Sequence, residues 1–207
     1  MSPKTEGLFS GLKGEDMTYL KYRGSIPHRE VLRELEEELA DISSISGWKY
    51  EFITENFHTM SRKTRRTAET EEIIDPEFGG EITRVSSADV YLDGINLYID
   101  RGNDPLALSF DKNGSLATVS MQLVRDPGST QKITIKRYEF MYSPYIKMFT
   151  RNAEHHIKAV KVLDYIKKKY VKDLEVIDTS MYWENRDEEE LKVMMWKAAG
   201  RNRQISI

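Results

Sequence analysis

EITRVSSADVYLDGINLYIDRGNDPLALSFDKNGSLATVSMQLVRDPGSTQKITIKRY, residues 81–138, is the stretch on which the fold turns. Val90 and Leu92, then Ile95, Leu97 and Ile99, then Leu106, Leu108 and Phe110, then Ala117, Val119, Met121 and Leu123, and finally Ile133 and Ile135 recur at a period of two. Successive strand side chains point to opposite faces, so each run sends its apolar residues to one side of a sheet. Ser109, Ser120, Lys132, Thr134 and Lys136 fall on the other side and suit water. Between the runs stand Asp93-Gly94, the Asp111-Lys112-Asn113-Gly114 turn, and residues 125–130 with Pro127-Gly128. Glycine tolerates positive φ, and connections this short join antiparallel neighbours. Tyr138 and Phe140 slip out of phase with Ile133 and Ile135, which a bulge near Lys136 and Arg137, or the end of the strand, accounts for. The expectation is an antiparallel β meander.

A half-polar sheet needs cover, and three helical patterns flank it. Residues 27–43 carry the stripe Val31, Leu32, Leu35, Leu39 and Ile42, with Ser25 as cap, Pro27 near the first turn and Gly47 as stop. Residues 152–171 begin at the capping residue Asn152 and carry Ala153, His156, Val160, Leu163 and Tyr170. Residues 187–199 open on Asp187 and Glu190 as a capping box, carry Leu191, Met194, Met195 and Ala198, and are expected to stop at Gly200. The first helix is acidic on its polar face and the second basic, so side by side they attract, at about 0–1 kcal/mol per surface pair. Trp48, Tyr50 and Phe52 alternate as an aromatic strand over 48–57. Residues 17–22, with neither face cleanly apolar, read as a short strand or an arm laid on the body, and the Leu174, Val176, Ile177 run predicts a short strand. The fold class is therefore α+β: an antiparallel meander sheet of about six strands, with three helices packed mainly on one face. Residues 17–200 form the single domain, 1–16 a loosely ordered segment and 201–207 a polar tail.

A chain of 207 residues can bury about 70% of its unfolded surface, enough for one sizeable core. Charged residues make up 31% and the formal charge is only -3, which supplies no field for nucleic acid or an anionic membrane. No cysteine is present, removing thiol nucleophiles, disulfides and thiolate metal sites. The first 13 residues lack an apolar signal-peptide core and no run approaches the length of a membrane span, so a cytoplasmic protein is expected.

The chemistry candidates gather at the start of the 152–171 helix. His155 and His156 are flanked by Arg151, with Tyr142 and Tyr145 upstream. Free N–H groups and partial positive charge at a helix start can receive an anionic group, and a histidine there can donate or accept a proton. Neighbouring helical residues point about 100° apart, so the two histidines do not serve one atom or one metal. The plainer expectation packs His156 on the apolar stripe and turns His155 to solvent or to a neighbour.

Other patterns carry less. Arg62, Lys63, Arg65 and Arg66 stand near Glu69, Glu71 and Glu72, with no aromatic among the cations to stack a base. Asp93 reads as the turn residue before Gly94, not as the partner of Asp89 in a carboxylate pair. Asp100, Asn103 and Asp104 lack the spacing of a calcium loop. No serine lies in a nucleophile elbow, and no cofactor or metal is expected. Met194, Met195 and Trp196 form an adaptable apolar group more often used for packing. The expected function is that of a non-catalytic binding or regulatory protein acting through a protein partner or as a homo-oligomer, with no role for nucleic acid or membrane. The alternative is a small-ligand-binding protein or enzyme with an anion-accepting site formed by Tyr142, Tyr145, Arg151, His155 and His156.

Overall fold

The computed structural model describes residues 18–58, 70–75, 80–86, 89–125 and 135–204. These form strands β1 (Thr18–Arg23), β2 (Lys49–His58), β3 (Thr70–Asp75), β4 (Gly80–Ser86), β5 (Asp89–Tyr98), β6 (Leu106–Phe110), β7 (Thr118–Arg125), β8 (Ile135–Ser143), β9 (Ile146–Thr150) and β10 (Glu175–Asp178). The helices are α1 (Glu30–Ser46), α2 (Ala153–Lys169), α3 (Tyr182–Asn185) and α4 (Glu188–Gln204). The class is α+β with antiparallel pairing, as expected. The expectations for residues 1–16, the cations at 62–66 and the Pro127-Gly128 turn lie outside the described residues. No helix among the described residues is long and apolar enough to cross a membrane.

The strands do not make one meander. They divide into three sheets, ordered β10-β1-β9, β2-β5-β6 and β3-β4-β8-β7. Asp93-Gly94, expected as a hairpin turn, lies inside β5, which pairs with β2 from Lys49↔Tyr98 to His58↔Asp89 without a register shift. The step of three between Leu92 and Ile95 is not a strand end but an exchange of buried face. Val90 and Leu92 turn one way, into a small cluster with Ala117, packed by Ile53, Val119 and Tyr142. Ile95, Leu97 and Ile99 turn the other way, into the main core. Gly94 sits at the exchange with φ 156°, where an added Cβ would stand 1.9 Å from the Leu108 carbonyl oxygen. Only glycine lets β6 close on β5 at that point. Asp93 is no turn residue either, and its carboxylate pairs with Arg29 at the start of α1. The expected slip in β8 is present as a shift of register between Val124 and Arg125 of its partner β7.

One core joins two of the sheets to the helices. Leu32, Leu35 and Leu39 of α1, Leu106, Leu108 and Phe110 of β6, Leu20 and Tyr22 of β1, and Val160, Leu163 and Ile166 of α2 are all buried in it. Tyr22 donates its hydroxyl to the Ala107 carbonyl at 2.6 Å, linking β1 to β6, and burial pushes its pKa far up. Tyr22→Phe removes that donor from the part-buried carbonyl. A loss of about 1–2 kcal/mol is expected in urea unfolding, with an unchanged m-value.

The helix ends follow local chemistry with two exceptions. Gly47 takes a φ of 71° and closes α1, and the Asp187 carboxylate accepts from the Glu189 and Glu190 amides at 3.0 and 2.9 Å. However, α1 begins at Glu30, beyond Pro27, and α4 runs through Gly200 to Gln204. The acidic and basic helices do meet. Lys169 reaches Glu38 at 2.8 Å, and this ammonium, with the Tyr165 and Tyr170 hydroxyls, holds the Glu38 carboxyl down to about 2.

Candidate functional site

The five site residues expected from sequence are not brought to one point. Tyr142 belongs to the small cluster and donates its hydroxyl to Asp111 Oδ2 at 2.8 Å, within the turn whose Asn113 and Ser115 amides bind Asp111 Oδ1. Burial and that carboxylate both push the Tyr142 pKa well up. Tyr145 lies beneath the Lys21 ammonium, 4.3 Å from its ring centre, at the start of β9. Arg151 follows the other end of β9, about 16 Å along a five-residue strand. Only Arg151, His155 and His156 share the start of α2.

His156 occupies the apolar stripe, as the periodicity requires, yet both of its ring nitrogens are engaged. Nδ1 lies 2.9 Å from Thr150 Oγ1, and Nε2 lies 2.9 Å from Asp178 Oδ2 and 3.2 Å from Ser180 Oγ. Asp178 in turn accepts from the Ser180 hydroxyl at 2.7 Å, the Ser180 amide at 2.8 Å and the Trp183 amide at 2.9 Å. Burial alone would raise the Asp178 pKa, but His156 and Ser180 outweigh it and hold the carboxyl below its usual range. The residue types are those of an acyl-transfer relay. Such a relay needs the nucleophile and the carboxylate on opposite ring nitrogens: Ser180 shares Nε2 with Asp178 and does not meet that need, while Thr150 on Nδ1 does stand opposite the carboxylate. Thr150, His156, Asp178 and Ser180 are all buried, so a substrate carbonyl has no approach to either hydroxyl. The network ties β9, α2, β10 and the turn into α3 together.

Asp178, Ser180 and Thr150 were not singled out by sequence reasoning. The Asp178-Thr179-Ser180 run does carry a local signal, since an Asp after a short strand commonly binds the amide two residues on. Its long-range partner His156, 22 residues back, has no local signature.

Of the two places expected for His155, solvent or a neighbour, it takes the second. It is buried, and both ring nitrogens lack a hydrogen-bond partner among the described residues. The loop 99–105 lies against this helix start. Asn152 caps α2 by accepting from the His155 amide at 2.8 Å, and its side-chain amide donates to Asp100 Oδ2 at 3.0 Å. Asn103 Oδ1 accepts from the Arg151 amide at 3.0 Å and Asp104 Oδ2 from the Phe149 amide at 3.1 Å. The Asn152 amide is the main reason the Asp100 pKa is lowered. Burial pushes the His155 pKa down to about 4, against the raising influence of Asp100 and Asp104. The loop's own carboxylates thus answer the positive end of the helix. Chemically, the site offers a neutral imidazole with one donor and one acceptor. No group of three or more metal-ligating side chains is assembled among the described residues.

The lowered pKa has a sign. Between the unfolded value near 6.5 and the folded value near 4, the unfolded chain binds a proton that His155 refuses, so stability falls as pH drops through that window. Thermal unfolding followed from pH 7 to 4 is expected to show the fall, and His155→Leu to have a shallower slope there.

A second feature is the outer edge of the β2-β5-β6 sheet. β2 stands at its edge and pairs with β5 alone among the described residues. On it Phe52 is 52% exposed and Tyr50 40% exposed, their rings packed edge-on at 5.5 Å. Lys49, Glu51 and Glu55 point to the other face and are also exposed. Tyr91 and Tyr98 of β5 are exposed as well, and Trp196 of α4 is the most exposed aromatic among the described residues, at 77%. Comparison of the chain with protein-family models, curated proteins and solved structures finds no match, so its own geometry is what speaks to function.

Proposed function

We propose that this chain is a non-catalytic binding or regulatory protein that works through protein–protein contacts, with the β2 edge as its contact strand. The observation that carries this is the half-exposed Phe52 beside Tyr50 on a sheet edge. An edge strand presents unpaired backbone N–H and C=O groups to which an extended segment can add, and alternate side chains give that addition its selectivity. Aromatic side chains supply large contact area at little rotamer cost. The polar groups that resemble catalytic ones are spent on each other in the His156 network. The test is a panel of displayed extended peptides selected on the purified chain. Expected are binders that protect the 50–55 amides from hydrogen exchange and that Phe52→Lys abolishes. Selected peptides that protect any other surface instead would overturn the assignment of β2.

A second reading, a small-ligand site at the start of α2, is favoured by one observation, the unpartnered nitrogens of His155. With Asp100 and Asp104 at hand, a neutral or cationic hydrogen-bonding group suits it better than the anion expected from the helix terminus alone. Perturbation of the His155 ring signals during titration with small polar compounds is its test, and unmoved signals would sink it.

A further inference from the structure

We infer that the strand which adds to β2 is β2 of a second copy of this chain, antiparallel about a two-fold axis through Phe52. The inference rests on the contact surface proposed above and names its occupant. A two-fold dimer uses the same patch twice, so the strand must be complementary to itself. The axis stands across the continued sheet and keeps each face on its own side, which makes it pass through a residue. With the axis at Phe52, Lys49 faces the partner's Glu55 and Glu55 the partner's Lys49. Tyr50 faces Thr54, Glu51 faces Ile53, and the two Phe52 rings meet at the centre.

The neighbouring registers are worse for a stated reason. An axis at Glu51 sets two Glu51 carboxylates against each other. An axis at Ile53 faces Glu51 with Glu55 twice. Directly opposed like charges destabilise a pair of strands, whereas opposite charges and aromatic pairs stabilise it. Among these three registers, only the one through Phe52 has no opposed like charges and two opposed unlike pairs. Lys49, Glu51, Tyr50, Phe52, Thr54 and Glu55 are all exposed in the single chain and so free to be covered. Tyr98 of β5 donates to Glu51 at 2.9 Å, fixing that carboxylate beside the strand. The product is a continuous sheet ordered β6-β5-β2-β2-β5-β6, in which neither β2 remains an edge.

The absence of cysteine makes the register directly readable. Phe52→Cys, alone, places one thiol on each side of the axis. Opposed strand positions lie about 4.5–5.5 Å apart between Cα atoms, inside the range a disulfide spans. Mild oxidation is expected to link this variant into a dimer. Thr54→Cys alone is expected not to link, because its two copies stand four residues apart, about 13 Å. An equal mixture of Thr54→Cys and Tyr50→Cys is expected to link as the mixed pair. In sedimentation of the cysteine-free chain, Lys49→Glu is expected to weaken dimerisation about tenfold or more. Adding Glu55→Lys restores it. These positions are exposed, and circular dichroism checks that each variant is folded. A wild-type chain that stays monomeric at the highest soluble concentration overturns the self-pairing, as does preferential linking of Thr54→Cys. If the monomer still gives β2-protecting peptides, the failure belongs to the second copy alone. If it gives none, the contact strand falls with it.

Discussion

His156→Ala is expected to lower the unfolding free energy by about 3–5 kcal/mol, because it removes the ring that the buried Asp178 carboxylate is paired with. Asp178 is 4% exposed and cannot turn to water for a replacement. Its remaining partners are the Ser180 hydroxyl and the Ser180 and Trp183 amides, none of which reaches into the space the ring would vacate. The variant also strips Thr150 Oγ1 of its ring partner and opens a cavity in the stripe of α2. Chemical unfolding by urea measures the loss. Pairing it with Asp178→Asn in a double-mutant cycle separates the coupling from the cavity, and a coupling of about 1–3 kcal/mol is expected for groups within one network. A His156→Ala variant that unfolds at the wild-type urea midpoint would mean that the four residues are not joined as described. The same network predicts acid sensitivity. Because the Asp178 pKa is lowered on folding, its contribution is present above the unfolded value of about 3.9 and is lost as pH falls through the folded one. That window lies below the one set by His155, so the two titrations are separable by pH.

The parts of this molecule that were legible in the sequence are those in which local pattern and packing agree. The α1 and α2 stripes, the Asn152 cap, the Gly47 stop and the Asp187 cap each combine a spacing with a local polar signal, and all are present. The β5 region failed for an identifiable reason. Period-two reading assumes that a strand buries one face throughout, so a change of face and a turn produce the same break in phase. Asp-Gly at the break supplied turn chemistry to a position where the glycine serves a close backbone approach instead. Strand order was likewise beyond local pattern, since β2 pairs with β5 across β3 and β4, and β1 sits between β9 and β10, which are distant from it in sequence. At the candidate site, helix periodicity placed His156 inward but held no information on Asp178. Burial of His155 came from the 99–105 loop and its carboxylates, whose residues had been weighed only as calcium ligands.

Gly94→Ala is expected to cost about 3 kcal/mol or more, since its Cβ would meet the tightest contact of any described glycine. The added carbon would meet the Leu108 carbonyl oxygen at 1.9 Å, the Leu108 carbonyl carbon at 2.9 Å and the Ser109 Cα at 2.9 Å. All three are backbone atoms of β6, so no side-chain rotation relieves the contact. The strand must move, and it holds Leu106, Leu108 and Phe110 in the main core while Ser109 binds the Ala117 carbonyl beside the small one. Both cores therefore loosen together. A drop of about 6–12 °C in melting temperature follows for a chain of this size. Amide exchange in β6 is expected to rise before that in α2. Gly47 supplies the control, because its φ of 71° is as unusual but no atom lies within 4 Å of the Cβ it would carry. Gly47→Asn, a residue that accepts this conformation, is expected to cost less than about 1 kcal/mol. Equal losses at the two positions would mean that backbone conformation, and not the approach of β6, is what requires glycine in the middle of β5.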